Sequence, residues 1–105
     1  FGTTYSGFAY AHIASPSDII TNETWPGQTG PLKTNTVLQY NDGFQDVELW
    51  GFPALAQKYS RRKNNDSKPV ELFKLHLIEM SEDQRPPLPE ELDYKKAITD
   101  YLCKL

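Results

Sequence analysis

The chain has 105 residues, with 14 Asp+Glu against 11 Lys+Arg, a formal charge of −3 and a pI of ≈ 5.3, which excludes polyanion binding through bulk charge. Hydrophobic residues make up 38%, enough for one modest core and for no more than one domain. A lone cysteine, Cys103, excludes an internal disulfide and a cysteine-based zinc site, and leans towards a reducing compartment.

The opening Phe1-Gly2-Thr3-Thr4 reads as the middle of an element, so the chain is expected to be a fragment. No run approaches the ~18 apolar residues of a membrane span, and no basic stretch followed by an apolar one marks a signal peptide. A cytoplasmic location without a membrane partner is therefore the expectation. Two sequon-like triplets, Asn22-Glu23-Thr24 and Asn65-Asp66-Ser67, are short enough to be chance.

The acidic excess lies wholly in the first 60 residues, where Thr, Tyr, Phe, Val and Ile broken by Gly and Asn spell strands and turns. Residues 5–12, Tyr-Ser-Gly-Phe-Ala-Tyr-Ala-His, read as a strand buried on both faces. Ala14-Ser15-Pro16-Ser17 is a turn, residues 18–22 a short hairpin partner, and Trp25-Pro26-Gly27 begins a loop reaching Gly30-Pro31. Residues 36–40 form a further strand, joined through Asn41-Asp42-Gly43 to residues 47–52 as a hairpin. Pro53 suits the first position of a short helix over residues 54–59, where its missing N–H costs nothing.

Residues 60–68 contain Arg61-Arg62-Lys63-Asn64-Asn65-Asp66 and no apolar side chain apart from the aliphatic stems, so they read as a solvated loop rather than a nucleic-acid patch. Residues 71–77 carry both strand and helix spacings and read as a short strand or irregular turn. Pro86-Pro87-Leu88-Pro89 is a stiff extended spacer. Beyond it, Tyr94, Ile98, Tyr101, Leu102 and Leu105 fall on one helical face, with Glu90 and Glu91 at the start and Lys104 near the end. Glu91/Lys95 and Asp100/Lys104 have the spacing of i,i+4 ion pairs.

His12 and His76 are far apart without acidic or Cys partners at ligand spacing, so they read as surface or strand-edge histidines. Cys103 reads as a small core or interface residue, and Glu90, Glu91 and Asp93 as helix-start charges. The chemistry concentrates in Phe1-Gly2-Thr3-Thr4-Tyr5-Ser6-Gly7, since a glycine-led bend exposes backbone N–H groups and threonine hydroxyls add donors for phosphate oxygens. Gly2 and Gly7 have the Walker A spacing, but Phe8 stands where that motif needs lysine, so a P-loop is excluded.

Phe-Gly-Thr-Thr-Tyr-Ser-Gly-Phe-Ala-Tyr resembles the first phosphate loop of the heat-shock protein 70 family. Later pieces follow in similar order: Trp25-Pro26-Gly27, the run from Lys33 to Tyr40, Trp50-Gly51-Phe52, Leu72-Phe73-Lys74-Leu75 and Asp100-Tyr101-Leu102. The set is most similar to the divergent branch typified by the 12A-type heat-shock proteins, over nearly the whole chain.

The resemblance implies an α+β fold: the N-terminal fragment of an actin-like ATPase (ribonuclease H-like) lobe spanning residues 1–105, with a strand-rich first half and an amphipathic C-terminal helix. It implies that Gly2, Thr3, Thr4 and Tyr5 cradle the β- and γ-phosphates of ATP. Lys74 would approach the γ-phosphate and attacking water as the catalytic cation. The complete parent would bind ATP or ADP with Mg2+, hydrolyse ATP slowly, and use its nucleotide state to control lobe closure and a client or regulatory protein, as a chaperone does. The family's magnesium-holding aspartate, second phosphate loop and adenosine pocket have no counterpart among these residues, so the remainder of the ATPase domain is an implied partner and the segment alone is expected to be inactive. The alternative reading is a small non-enzymatic interaction module that uses exposed Trp25, Trp50 and residues 86–89 as contact surfaces.

Overall fold

The computed structural model describes residues 1–59 and 69–105, which form a small mixed α/β domain with two α-helices and several small antiparallel sheets. In chain order, β1 (Tyr5–Ser6) is followed by β2 (Ala9–Tyr10), β3 (Ile20–Thr21), β4 (Thr24–Trp25), β5 (Gln28–Thr29), β6 (Thr34–Asn35), β7 (Val37–Tyr40) and β8 (Val47–Trp50). Then come α1 (Phe52–Tyr59), β9 (Val70–Glu71), a 3-10 helix (Phe73–Leu77) and α2 (Tyr94–Lys104). The reading of residues 60–68 as a solvated loop lies outside the described residues.

Strand β7 is the organising element. Val, Leu, Gln and Tyr are all buried there, because β8 pairs with one edge, β9 with the other, and helices contact the strand as well. Successive side chains of a strand alternate faces. Leu38 and Tyr40 accordingly join Val70, Phe73, Leu92, Ala97 and Tyr101 in the main core, while Val37 shares a wall with Leu55 of α1. Phe1, Trp50, Ile98 and Leu105 pack against the same core from its margins.

The β7–β8 hairpin forms as the sequence predicts, and its turn is held by Asn41. Its Oδ1 accepts from the backbone N–H of Gln45 at 3.0 Å and of Asp46 at 3.3 Å, while its own N–H donates to the Asp46 carbonyl at 2.9 Å. Positive φ falls on Phe44 and not on Gly43 of the Asn-Asp-Gly signal. Helix α1 begins one residue before Pro53, within ordinary boundary variation.

Residues 5–12 do not form one strand buried on both faces. They break into β1, paired with β6, and β2, paired with β3; Tyr5, Ala9 and Tyr10 are exposed and only Ser6 is buried. The two halves find different partners, so no common sheet covers them. Trp25-Pro26-Gly27 is not a plain loop but the tip of the β4–β5 hairpin, with Gly27 at φ 72° supplying the turn.

Residues 70–77 resolve their two spacings in series: β9 stops where Leu72 adopts φ 61°, and the chain winds directly into the 3-10 helix. The final helix is capped by Asp93, whose side chain accepts from the Lys95 N–H at 3.3 Å, and it buries Ala97 and Tyr101. Glu91 precedes that cap, so its spacing to Lys95 is not helical, and Asp100 pairs with Lys96 on the preceding turn at 2.6 Å rather than with Lys104. Leu102 and Cys103 are exposed, so Cys103 is not a core residue. No helix among the described residues is long and apolar enough to cross a membrane.

Candidate functional site

The glycine-led bend is built around a buried hydroxyl pair. The Gly2 N–H donates to Ser6 Oγ at 3.1 Å, Ser6 Oγ lies 2.8 Å from Thr36 Oγ1, and Thr36 Oγ1 donates back to the Gly2 carbonyl at 2.9 Å. The Thr36 N–H donates to the Thr4 carbonyl at 2.9 Å, so Thr36, between β6 and β7, holds the bend at two points. Gly2 is required sterically: a Cβ there would sit 2.0 Å from the Tyr5 carbonyl oxygen. The turn is therefore tight enough to close over its own backbone, which only glycine permits.

Thr3, Thr4 and Tyr5 line a pocket of ≈ 260 Å³ together with Asn35 and Thr36. Its opposite wall carries Leu55 and Lys58 of α1 and Glu71 of β9, and Lys58 and Glu71 form an ion pair. Gly2 instead meets a second groove of ≈ 470 Å³, shared with Phe1, Tyr5, Phe8 and Lys33. The bend is thus a partition with a concavity against each flank.

Lys74 reaches the residue that precedes the bend. The 3-10 helix that follows the left-handed Leu72 delivers its ammonium to the Phe1 carbonyl at 2.7 Å, with the Phe1 ring centroid 5.3 Å from Nζ. Of the five sequence-nominated residues, Gly2, Thr3, Thr4 and Tyr5 adjoin in the bend, whereas Lys74 bonds the residue before it and lines neither concavity. Gly2 faces one flank, Thr3 and Thr4 the other and Tyr5 both, while Lys74 has a structural bond to the chain leading into the bend. A lysine holding a backbone carbonyl fixes the loop and still contributes positive potential to it.

Ser6, Thr36, Lys58 and Glu71 are parts of this arrangement that the sequence did not single out. Ser6 follows the Gly-Thr-Thr-Tyr run directly, and a hydroxyl buried in a strand needs a partner; that was the one available signal. Lys58 and Glu71 come from separate elements, and no spacing relates them.

Hydroxyl and ammonium donors of this kind suit a phosphate. No group of three or more His, Cys, Asp or Glu able to hold a metal occurs among the described residues, and the carboxylate at the pocket, Glu71, is paired with Lys58. His12 is exposed and its Nδ1 accepts from the Ala14 N–H at 3.0 Å, while His76 Nε2 lies 2.8 Å from the Pro86 carbonyl with its ring stacked on Tyr94. Trp25 is buried and donates from Nε1 to the Pro31 carbonyl at 2.8 Å, and Trp50 packs edge-on against Tyr101. Neither tryptophan forms the exposed platform of the alternative reading.

Comparison with protein-family models, with curated proteins and with solved structures finds no match to this chain.

Proposed function

We propose that the chain supplies the first phosphate-binding loop of a heat-shock protein 70-like ATPase with an actin-like nucleotide-binding lobe. The observation that supports the reading best is the Lys74 ammonium, 2.7 Å from the Phe1 carbonyl at the root of a Gly-Thr-Thr bend. Cation and bend are the two parts the family resemblance calls for, and Lys74 bonds the residue that leads into the bend although it stands far from it in sequence. The threonine hydroxyls donate to phosphate oxygens, and the lysine's positive charge offsets charge that develops during phosphoryl transfer.

Magnesium, the adenosine pocket and the opposing lobe belong to other parts of the protein in this reading, as do slow ATP hydrolysis, lobe closure, a client or regulatory partner and a cytoplasmic setting. This chain's own residues bind and orient the phosphates. Calorimetric titration of the protein with ATP tests the assignment: Thr3→Ala and Thr4→Ala should each weaken binding by about ten- to hundredfold, the range for one hydrogen bond to a charged group. Unchanged affinity in both variants removes the basis for naming these residues.

A second reading, a protein-interaction module, draws on a different surface from the tryptophans. Ile13 is 93% and Ile19 70% exposed, and Tyr10 and Ile20 beside them on the β2–β3 hairpin are exposed too. An apolar cluster of this kind marks contact surfaces in soluble proteins. Absence of any heat with ATP, together with concentration-dependent self-association or partner capture that Ile19→Asp abolishes, would favour it.

A further inference from the structure

The groove of ≈ 470 Å³ on the Gly2 flank of the bend has a different chemistry from the threonine pocket. Its walls are the Phe1, Tyr5 and Phe8 rings with Leu32, and Tyr5, Phe8 and Leu32 remain 54%, 41% and 56% exposed, apolar surface that a ligand takes out of water. The cation in its lining is Lys33. The β1–β6 pairing sets Ser6 opposite Thr34, and just beyond that pair Gly7 lies against the Lys33 stem: a Cβ on Gly7 would sit 2.6 Å from the Leu32 carbonyl oxygen and 3.3 Å from Lys33 Cγ. Glycine thus gives the lysine a seat at the end of β1. Of the lysines near the bend, Lys58 is paired with Glu71 and Lys74 with the Phe1 carbonyl, whereas Lys33 has no hydrogen-bond or ion-pair partner among the described residues. No carboxylate lines the groove among the described residues, and the Ser6 hydroxyl is already spent between the Gly2 N–H and Thr36, so Lys33 supplies the charge.

We infer that this groove is a second ligand site, separate from the threonine pocket, that takes a small aromatic monocarboxylate. The ligand's ring packs on the Phe1, Tyr5 and Phe8 rings, where offset or edge-on contacts add to the burial of apolar area. Its carboxylate meets the Lys33 ammonium in a charge-assisted hydrogen bond. Charge sets the class of ligand: one cation without a counter-ion matches a monoanion, while a phosphate dianion or a triphosphate stays largely uncompensated there. Size agrees, since the volume falls within the range of small-molecule sites. Thr3 and Thr4 line the other concavity, so the inference stands or falls independently of the phosphate-loop reading.

The test titrates the protein with naphthylacetate and with its uncharged analogue naphthylethanol, following backbone amide shifts by NMR. The acid should bind with a Kd of about 0.1–1 mM, the level set by the free energy per atom of small ligands, and should move the amides of Gly7, Phe8 and Lys33. The alcohol should bind about two- to fivefold more weakly, the range for an exposed ion pair. Lys33 is exposed, so its variants keep the fold: Lys33→Gln should bring the acid down to the affinity of the alcohol, and Lys33→Arg should restore it. Equal affinities of acid and alcohol for the wild type, or of wild type and Lys33→Gln for the acid, overturn the inference. So does an absence of shifts at millimolar ligand, or shifts confined to Ile13, Ile19 and their neighbours on the β2–β3 hairpin, which would seat the ligand on that exposed cluster instead. Displacement of the acid from the same amides by inorganic phosphate at equal concentration overturns the assignment to a monocarboxylate. ATP binding is decided separately by the Thr3→Ala and Thr4→Ala titrations.

Discussion

The ammonium of Lys74 meets the carbonyl of Phe1 at 2.7 Å, closing a span of 73 positions with one charge-assisted hydrogen bond. That carbonyl precedes Gly2, so the bond fixes the direction from which the chain enters the bend. Leu72 makes the approach possible: its left-handed φ of 61° ends β9 and starts the 3-10 turn that aims Lys74. A non-glycine residue in that region costs about 1–2 kcal/mol, which the packing of Phe73 in the core offsets.

Lys74→Met keeps the length of the stem and removes the donor. It should cost about 1–2 kcal/mol in urea unfolding, the value of a partly buried bond from a charged donor. It should also loosen the bend, seen as faster hydrogen exchange of the Gly2 N–H, and weaken ATP binding in the same variant. A variant with wild-type stability and exchange would show that the bond contributes nothing to the loop.

The Ser6–Thr36 pair should behave as one unit. Thr36→Val keeps the side-chain shape but strands the Gly2 carbonyl and one side of Ser6 Oγ, and Ser6→Ala strands the Gly2 N–H. Each should cost about 1–3 kcal/mol, and the double variant should cost clearly less than the two together, because both substitutions break the same chain of bonds. Additive losses in denaturant unfolding would mean that the two hydroxyls act separately.

Residues 36–40 and 47–52, and the final helix, were legible because each carries a local signal: alternating apolar residues around a turn, or apolar residues at helical spacing behind a cap. The bend was legible from Gly2-Thr3-Thr4 for the same reason. Residues 5–12 were misread because burial of a strand depends on what covers it, and nothing local shows that Tyr5 pairs opposite Asn35 while Ala9 pairs opposite Thr21. Lys58 and Glu71 were invisible on similar grounds. Asp100 has Lys96 and Lys104 at equal spacing, and the choice between them is made by Tyr40, whose hydroxyl donates to Asp100 Oδ2 at 2.7 Å and whose ring lies under the Lys96 ammonium.

Gly51 joins β8 to α1 at φ 69°, and a Cβ there would lie 2.8 Å from Thr34 Oγ1. That hydroxyl is buried without a hydrogen-bond partner among the described residues. Gly51→Ala should therefore lower stability by about 2 kcal/mol or more through backbone strain and contact combined. Thr34→Val, which replaces an unsatisfied hydroxyl by a methyl, should be neutral or stabilising by up to about 1 kcal/mol. Thermal melts of Gly51→Ala with and without Thr34→Ala separate the two costs, since the second substitution relieves the contact and leaves the strain. Equal melting temperatures for wild type and Gly51→Ala would contradict the strained geometry.

Two core tyrosines make the fold sensitive to alkali. Burial pushes the Tyr40 phenol far above its ordinary value of 10.0, and the hydrogen bond to Asp100 and the negative charge of that carboxylate push it further. Burial also raises Tyr101, against the smaller opposing pull of the Ser6 and Thr36 hydroxyls. A phenol that holds its proton more tightly when folded contributes stability that is complete below the unfolded value and is lost as the pH climbs past it. The melting temperature should therefore fall steeply above about pH 10. The informative quantity is the difference between wild type and Tyr40→Phe. Tyr40→Phe should be less stable than wild type near neutrality, having lost the bond to Asp100, yet should decline more gently above pH 10, so that the two curves converge. Parallel curves across that range would mean that Tyr40 ionises no differently in the folded and unfolded chain.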